Sequence, residues 1–201
     1  MKTPLADWFS QTNNETSKSA MRRSQNGFFE KYLAGDVILD IGYRGSSPDA
    51  VPVLPRAIGV DVDYPGYDGL HLPFERESVD VVYSSHVLEH VELDGIIIWD
   101  WFRVLKYGGF LIVIVPHQLL YERKARPPSL WNGDHKRFYT PASLLRSFEV
   151  SLEPNSYRVR HLCDNDADYD YSVWPNRHAQ GAYEVECVLE KIRKPEWSII
   201  P

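Results

Sequence analysis

From residue 36 onward the apolar positions fall into short unbroken runs, each closed by an acid, a serine, a glycine or a proline. Residues 37–41, 57–62, 79–84 and 110–115 read as strands, and the last is apolar throughout, as in a sheet centre covered on both faces. Two further strands are expected near 157–162 and 183–191. Between the runs the spacing changes to a helical period. Residues 17–34 predict a helix with Met21, Phe28, Phe29, Tyr32 and Leu33 as its apolar face and Gly35 as its stop. Residues 87–106 predict a long helix closing at Gly108-Gly109, and Thr140-Pro141 opens another as N-cap and first-turn proline. Alternating strands and helices imply an α/β domain with a mostly parallel sheet. Residues 47–55 form a short proline-broken segment. Residues 116–138 form a long irregular connection, of a length usually tied to function or disorder. Residues 164–181 are polar and aromatic and read as a loop.

The length of 201 residues fits one domain spanning 1–201, with an N-terminal helix at 17–34, a core at 36–118 and a later part, 119–201. The net charge of −6 argues against a sequence-independent nucleic-acid binder, so no nucleic-acid partner is expected. Local basic groups, Arg22-Arg23, Arg123-Lys124-Arg126 and Lys136-Arg137, read as solvated faces. Residues 1–19 lack the apolar core of a signal peptide, and no run approaches the roughly 20 apolar residues of a membrane span. Cys163 and Cys187 have neither metal-site spacing nor a disulfide framework, so two buried reduced thiols and a cytoplasmic location are expected. No oligomeric state follows from the sequence.

Chemistry enters with the order of the motifs. Asp40 and Gly42 end the first run, and Asp61 ends the second, about twenty residues on, as in nucleotide-binding folds. Asp68-Gly69-Leu70-His71-Leu72-Pro73-Phe74 follows, then Val79-Asp80-Val81-Val82-Tyr83-Ser84-Ser85-His86-Val87-Leu88-Glu89-His90, then Leu105-Lys106-Tyr107-Gly108-Gly109-Phe110. With these five blocks in order, the chain resembles the class I S-adenosylmethionine-dependent methyltransferases, in particular small members with LPF and LEH blocks. The resemblance covers residues 36–118 and, more loosely, 132–148. It implies a Rossmann-like, doubly wound, seven-stranded, mostly parallel sheet with helices on both faces. A dehydrogenase is disfavoured, because G-x-G-x-x-G is missing.

The resemblance implies S-adenosyl-L-methionine as cofactor and S-adenosyl-L-homocysteine as product. Asp61, with Val62 beside it, would accept the ribose hydroxyls. Asp68 would receive the adenine amino group, with Gly69 and Leu70 alongside. Asp40, Gly42 and Tyr43 would pass under the methionine part, and Ser84, Ser85 and His86 would line the methyl end. Arg44 stands where the family has a glycine. It is expected either to point outward or to pair with the cofactor carboxylate, the third outcome being loss of cofactor binding.

Methyl transfer from a sulfonium needs positioning, and a base if the acceptor is a hydroxyl. Histidine suits that task near neutral pH. His117, after the central strand, is the first choice, His135 the second, and His90 a further candidate whose alternative is helix-start architecture. Glu89 and His90 could instead help hold a divalent metal, as in some quinone O-methyltransferase relatives; the preferred assignment has no metal. The block around His135 and the segment from Asp168 through Glu184 look like bacterial methyltransferases of cell-surface polysaccharide synthesis. A sugar or glycan hydroxyl is therefore the expected acceptor. A small aromatic or quinone-like acceptor, or a non-catalytic cofactor-binding module, is the alternative.

Overall fold

The computed structural model describes residues 15–43 and 50–197. Its helices are α1 Glu15–Gln25, α2 Phe28–Tyr32, α3 Asp94–Val104 and α4 Pro141–Ser151. Its strands are β1 Ile38–Ile41, β2 Ile58–Val60, β3 Val79–Ser85, β4 Leu105–Pro116, β5 Tyr157–Asn165 and β6 Glu184–Lys191. They form one sheet in the order β2-β1-β3-β4-β6-β5. β1 pairs in parallel with β2 and β3, and β3 with β4, while β6 runs antiparallel to β4 and β5. Among the described residues the sheet thus has six strands, not the expected seven. The α/β, Rossmann-like, mostly parallel class is as the sequence implies.

Side-chain alternation along β4 sorts the core onto two faces. Leu111, Val113 and Val115 pack with Ile97, Trp101, Leu144 and Phe148 from α3 and α4. Ile112 and Ile114 pack on the other side with Ala20, Phe28, Phe29 and Tyr32 from α1 and α2. Helices therefore cover both faces, and the carboxyl ends of β1, β3 and β4 open at one edge.

Three expectations need correction. The helix over 17–34 is two helices: Gly27 adopts φ +83°, and the Asn26 side chain accepts from the Phe28 N–H at 3.0 Å. The helix over 87–106 starts later and stops earlier. Leu88–His90 is a separate 3₁₀ turn, and Leu105 already pairs with Val79 as sheet. Lys191 Nζ donates to the Phe102 and Leu105 carbonyls at 3.0 and 2.7 Å, satisfying the helix end in place of Gly108-Gly109. The third concerns Arg23, which is buried rather than solvated. The Thr140-Pro141 start is as expected, with the Thr140 hydroxyl accepting from Ser143 N–H at 3.2 Å and Ser143 returning a bond to Thr140 N–H.

Candidate active site

At the β1–β2 edge the chain turns at Gly42, whose φ of +74° an L side chain rarely adopts. Its N–H donates to the Val60 carbonyl at 2.8 Å, and a Cβ there would meet a Val87 methyl at 2.2 Å. Asp40 is buried, with Oδ2 accepting from Val53 N–H at 2.6 Å; burial, with the charge of Asp61, pushes its pKa up to about 7. The Tyr43 ring lies over Gly59, where a Cβ would approach it to 2.6 Å. Burial, then Asp63, Asp61 and Asp40, push the Tyr43 hydroxyl up. Asp61 Oδ1 accepts from Val62 N–H at 2.8 Å, and the Val62 side chain is exposed. Arg44 lies outside the described residues. The described edge is acidic, with Asp40, Asp61 and Asp63 close enough to raise the Tyr43 hydroxyl.

Asp68 is engaged by its own loop. Oδ1 accepts from the N–H groups of Leu70 and His71 at 2.8 and 2.6 Å, and Oδ2 meets His71 Nδ1 at 2.8 Å. The His71 bonds chiefly hold the carboxyl well below its usual range. Gly69, at φ +89°, makes this turn possible. Tyr67 stands nearby; burial and the charges of Asp61 and Asp68 push its hydroxyl up to about 12. The LPF block has a structural task as well. Leu72 enters the core, Asp100 Oδ2 accepts from its N–H at 2.6 Å, and Arg103 donates to the carbonyls of Leu72 and Phe74.

The opposite side of the edge carries a row of carboxylates and imidazoles. Glu184 Oε1 lies 3.0 Å from His86 Nε2, and His86 Nδ1 lies 3.7 Å from Glu89 Oε1. Glu89 Oε1 is 3.8 Å from His90 Nε2; the His90 and His135 rings meet edge to face at 4.8 Å; and His135 Nδ1 is 2.5 Å from Glu122 Oε1. The row is fixed from behind. Arg23, fully buried, donates to Glu184 at 3.0 Å, Glu186 at 2.8 Å and the Tyr83 hydroxyl at 3.3 Å. Burial opposes the charge on Glu184, yet Arg23 and His86 hold its pKa down at about 2. Burial would lower His86, but its bond to Glu184 and the charge of Glu89 raise it on balance. Burial raises Glu89, whereas burial and then His135 lower His90, which favours a neutral ring there. The N–H groups of Lys136 and Arg137 donate to the Glu89 carbonyl at 2.7 and 3.2 Å, which brings the loop carrying His135 onto the 3₁₀ turn carrying His90.

His117 has a different surrounding. Its Nδ1 accepts from Leu119 and Leu120 N–H at 3.0 and 3.2 Å, and Nε2 lies 3.0 Å from Asp164 Oδ1. With Nδ1 accepting and Nε2 donating, the neutral ring has no lone pair left for a substrate proton. In this arrangement His117, the first-choice base of the sequence reading, caps the turn Gln118–Glu122. Ser84 and Ser85 end β3 inside the sheet, Ser84 in register with Ile41 and Val113.

An aromatic wall adjoins the row. Tyr121 packs on His135, His178 and Tyr183 at 5.7, 5.5 and 4.8 Å, and Trp131 meets His178 at 5.3 Å. Arg123 ties the two loops together, donating to the Val173 and Trp174 carbonyls and the Tyr169 hydroxyl. Both cysteines are free; Cys187 is buried, but Cys163 is half-buried, with Sγ 3.0 Å from His161 Nε2. Glu122, Glu184 and Arg23 escaped the sequence reading as site residues. They come from segments remote in sequence, so no local spacing could reveal them. Tyr67 and Trp131 belong to none of the motifs that carry the sequence reading.

Comparison with known proteins finds similarity to methyltransferases. Residues 48–113 match the methyltransferase-domain family. A protein of Mycolicibacterium smegmatis described as a probable S-adenosylmethionine-dependent methyltransferase is 30% identical over 162 residues, covering 70% of this chain. The chain spans 62% of that relative's length. A chain from the complex of the Haloferax volcanii Trm112 methyltransferase activator with a methyltransferase superposes at TM-score 0.62 and 14% identity, over 96% of this chain and 98% of its own. Burkholderia thailandensis 1,6-didemethyltoxoflavin-N1-methyltransferase superposes at 0.60 and 14% identity, over 94% and 87%. Among the described residues no helix is long and apolar enough to cross a membrane. The chain has the fold of the S-adenosylmethionine-dependent methyltransferases and, over residues 48–113, carries their domain pattern.

Proposed function

We propose that the chain binds S-adenosylmethionine at the carboxyl ends of β1 and β2 and transfers its methyl group to a hydroxyl of a sugar or glycan. The observation that carries this reading is the pairing of two unlike edges. Asp40 and Asp61 end adjacent parallel strands beside a glycine turn, at the point where an open α/β sheet accepts a nucleotide-like ligand. Across from them stand His90, whose burial favours a neutral ring, and His135, whose Nδ1 meets the Glu122 carboxylate. Asp61 is assigned to the ribose hydroxyls, Asp68 and Tyr67 to the adenine end, and Asp40, Gly42 and Tyr43 to the methionine end. The sulfonium is a cation, which an acidic edge favours.

In the transfer, the acceptor oxygen attacks the methyl carbon and forms the new C–O bond. The C–S bond breaks with its electron pair staying on sulfur, giving neutral S-adenosylhomocysteine. The acceptor proton passes to the His90–His135 pair, whose charge the Glu89 and Glu122 carboxylates offset. The half-buried rings of Tyr121 and Trp131, backed by the buried Tyr183, suit the apolar face of a sugar ring, and Asp164 and neighbouring acids suit its hydroxyls.

The second reading, a small planar acceptor, is supported by the likeness to the Burkholderia thailandensis enzyme, whose structure holds 1,6-didemethyltoxoflavin. Calorimetry with S-adenosylmethionine and S-adenosylhomocysteine, followed by label transfer from methyl-tritiated cofactor to glycan and to planar phenolic acceptors, separates the cases. Label in glycan supports the proposal, and label only in phenols supports the second reading. Binding with no transfer to either leaves a non-catalytic module, and no binding of either ligand overturns the cofactor assignment.

A further inference from the structure

We infer that the cleft between α1 and residues 168–182 is a second saccharide subsite, which seats a neutral sugar ring next to the one that is methylated. The cleft measures about 670 Å³, within the range of roughly 300–1,000 Å³ usual for ligand pockets. From α1 it is lined by Ser19 and Arg22, and from the later loop by Asp168, His178, Gln180 and Gly181. None of these residues belongs to the cofactor edge or to the imidazole row.

The loop side of the cleft is built from its base. Ala182 N–H donates to the Ala167 carbonyl at 2.9 Å, and Arg22 Nη1 donates to the same oxygen at 3.0 Å. Asp168 adopts φ +57° and Gly181 φ +88°, and a Cβ on Gly181 would lie 2.4 Å from the Asp168 carbonyl oxygen. Only glycine allows that approach of the two loop ends. The Asp168 side chain is thereby presented to α1, where Arg22 Nη2 meets its Oδ2 at 2.5 Å.

The chemistry of the cleft favours hydroxyls without net charge. Arg22 and Asp168 offset one another, so an anionic group gains little beside them. Among the described residues the other Arg22 N–H groups and Asp168 Oδ1 have no partner. Donors thus stand beside an acceptor, a pattern that adjacent sugar hydroxyls match because each both donates and accepts. Gln180, exposed at the rim, adds an amide with both functions. His178 joins the cleft to the reacting site. It lines the cleft and meets Tyr121, Trp131 and Tyr183 at 5.5, 5.3 and 5.7 Å. A ring stacked on Tyr121 and Trp131 therefore has its glycosidic neighbour in the cleft.

The subsite rests on the glycan reading of the acceptor. It adds that the acceptor has at least two rings, since free monosaccharides and planar phenols make only part of these contacts. The cleft lies away from the reacting oxygen, so its contacts hold substrate and transition state alike. Their loss should appear in KM rather than in kcat.

The test is retention of dye-labelled, full-length protein, with S-adenosylhomocysteine present, on an array of neutral and acidic glycans of one to four rings. Neutral glycans of two or more rings should be retained about tenfold better than single rings of the same sugar. Arg22→Met should remove that advantage and leave single-ring retention unchanged. The Arg22 side chain is 38% exposed, and Gln180→Ala at the rim serves where Arg22→Met melts below the parent. In label transfer, Arg22→Met should raise KM for a two-ring acceptor about tenfold, with kcat within about twofold. Equal retention of one and two rings, a preference for acidic glycans, retention of no glycan, or an unchanged advantage in the folded variant would each overturn the subsite. Calorimetry of the same samples with S-adenosylmethionine keeps the two questions apart. Two-ring retention without cofactor binding sinks only the transferase, and transfer to one-ring and two-ring acceptors at equal KM sinks only the subsite.

Discussion

At the β1–β2 edge, Asp40, Gly42, Asp61 and Asp68 come from one continuous stretch and are placed by strand ends and tight turns. At the facing edge, His86, Glu89, His90, Glu122, His135 and Glu184 come from three separated parts of the chain and are placed by one another. The first edge is local, and each residue's position follows from backbone geometry. The second is a network of buried charges in which every group depends on its neighbours. A local site should therefore fail one contact at a time, whereas a networked site should fail as a unit.

The largest effect is expected in the network. Replacing His135 with Gln should lower methyl transfer by roughly 10²–10⁴-fold, with S-adenosylmethionine affinity unchanged. Single-turnover kinetics alongside calorimetry checks this, and parallel loss of cofactor affinity would mean that the two edges are not separable. Next is Arg23→Met. It removes the guanidinium shared by the buried Glu184 and Glu186, so urea unfolding should show a loss of about 3–5 kcal/mol.

A pH experiment follows. The Asp40 carboxyl is raised from 3.8 to about 7 in the folded chain. Its contribution to stability is therefore fully present below pH 3.8 and is lost as pH rises through 7. Asp40→Asn should remove that decline, leaving the variant more stable than the parent at pH 8 by on the order of 3 kcal/mol and equal to it near pH 3.5. An unchanged pH profile in the urea midpoint would break the description of this edge as a strained acidic pocket.

On the local side, Asp61→Ala should weaken S-adenosylmethionine by about 100-fold, with little change in melting temperature. The smallest effect is expected at His117. His117→Ala removes a cap acceptor and should cost about 1 kcal/mol while leaving transfer within a few-fold of the parent. A rate loss there as large as at His135 would restore His117 as the base.

How far the sequence reached follows the same division. Gly42 and Asp61 were legible because a strand followed by a glycine turn and an acid is specified by neighbours in the chain. Thr140 was legible because a hydroxyl cap and a first-turn proline act within one turn. The long helix was misjudged because Val104-Leu105 continues its apolar pattern, and the choice between helix and strand fell to pairing of Leu105 with Val79. Arg23 looked like surface charge because its partners, Glu184 and Glu186, lie at the far end of the chain.

His117 and His135 show most sharply what each level decides. As sequence His117 ranks first because it follows the central strand directly, and His135 lies further along the same segment without periodicity. Only the folded chain gives His117 two backbone donors and Asp164, and gives His135 a buried Glu122 and the open face of Glu89. The sequence by itself determined the alternating strands and helices, the acid-and-glycine edge and the nucleotide-type site, because backbone turns and short-range caps encode them. The tertiary structure alone decided which imidazole has a free lone pair and which carboxylates stand beside it. That depends on through-space contacts between distant segments, where burial sets both the charge state and the partner.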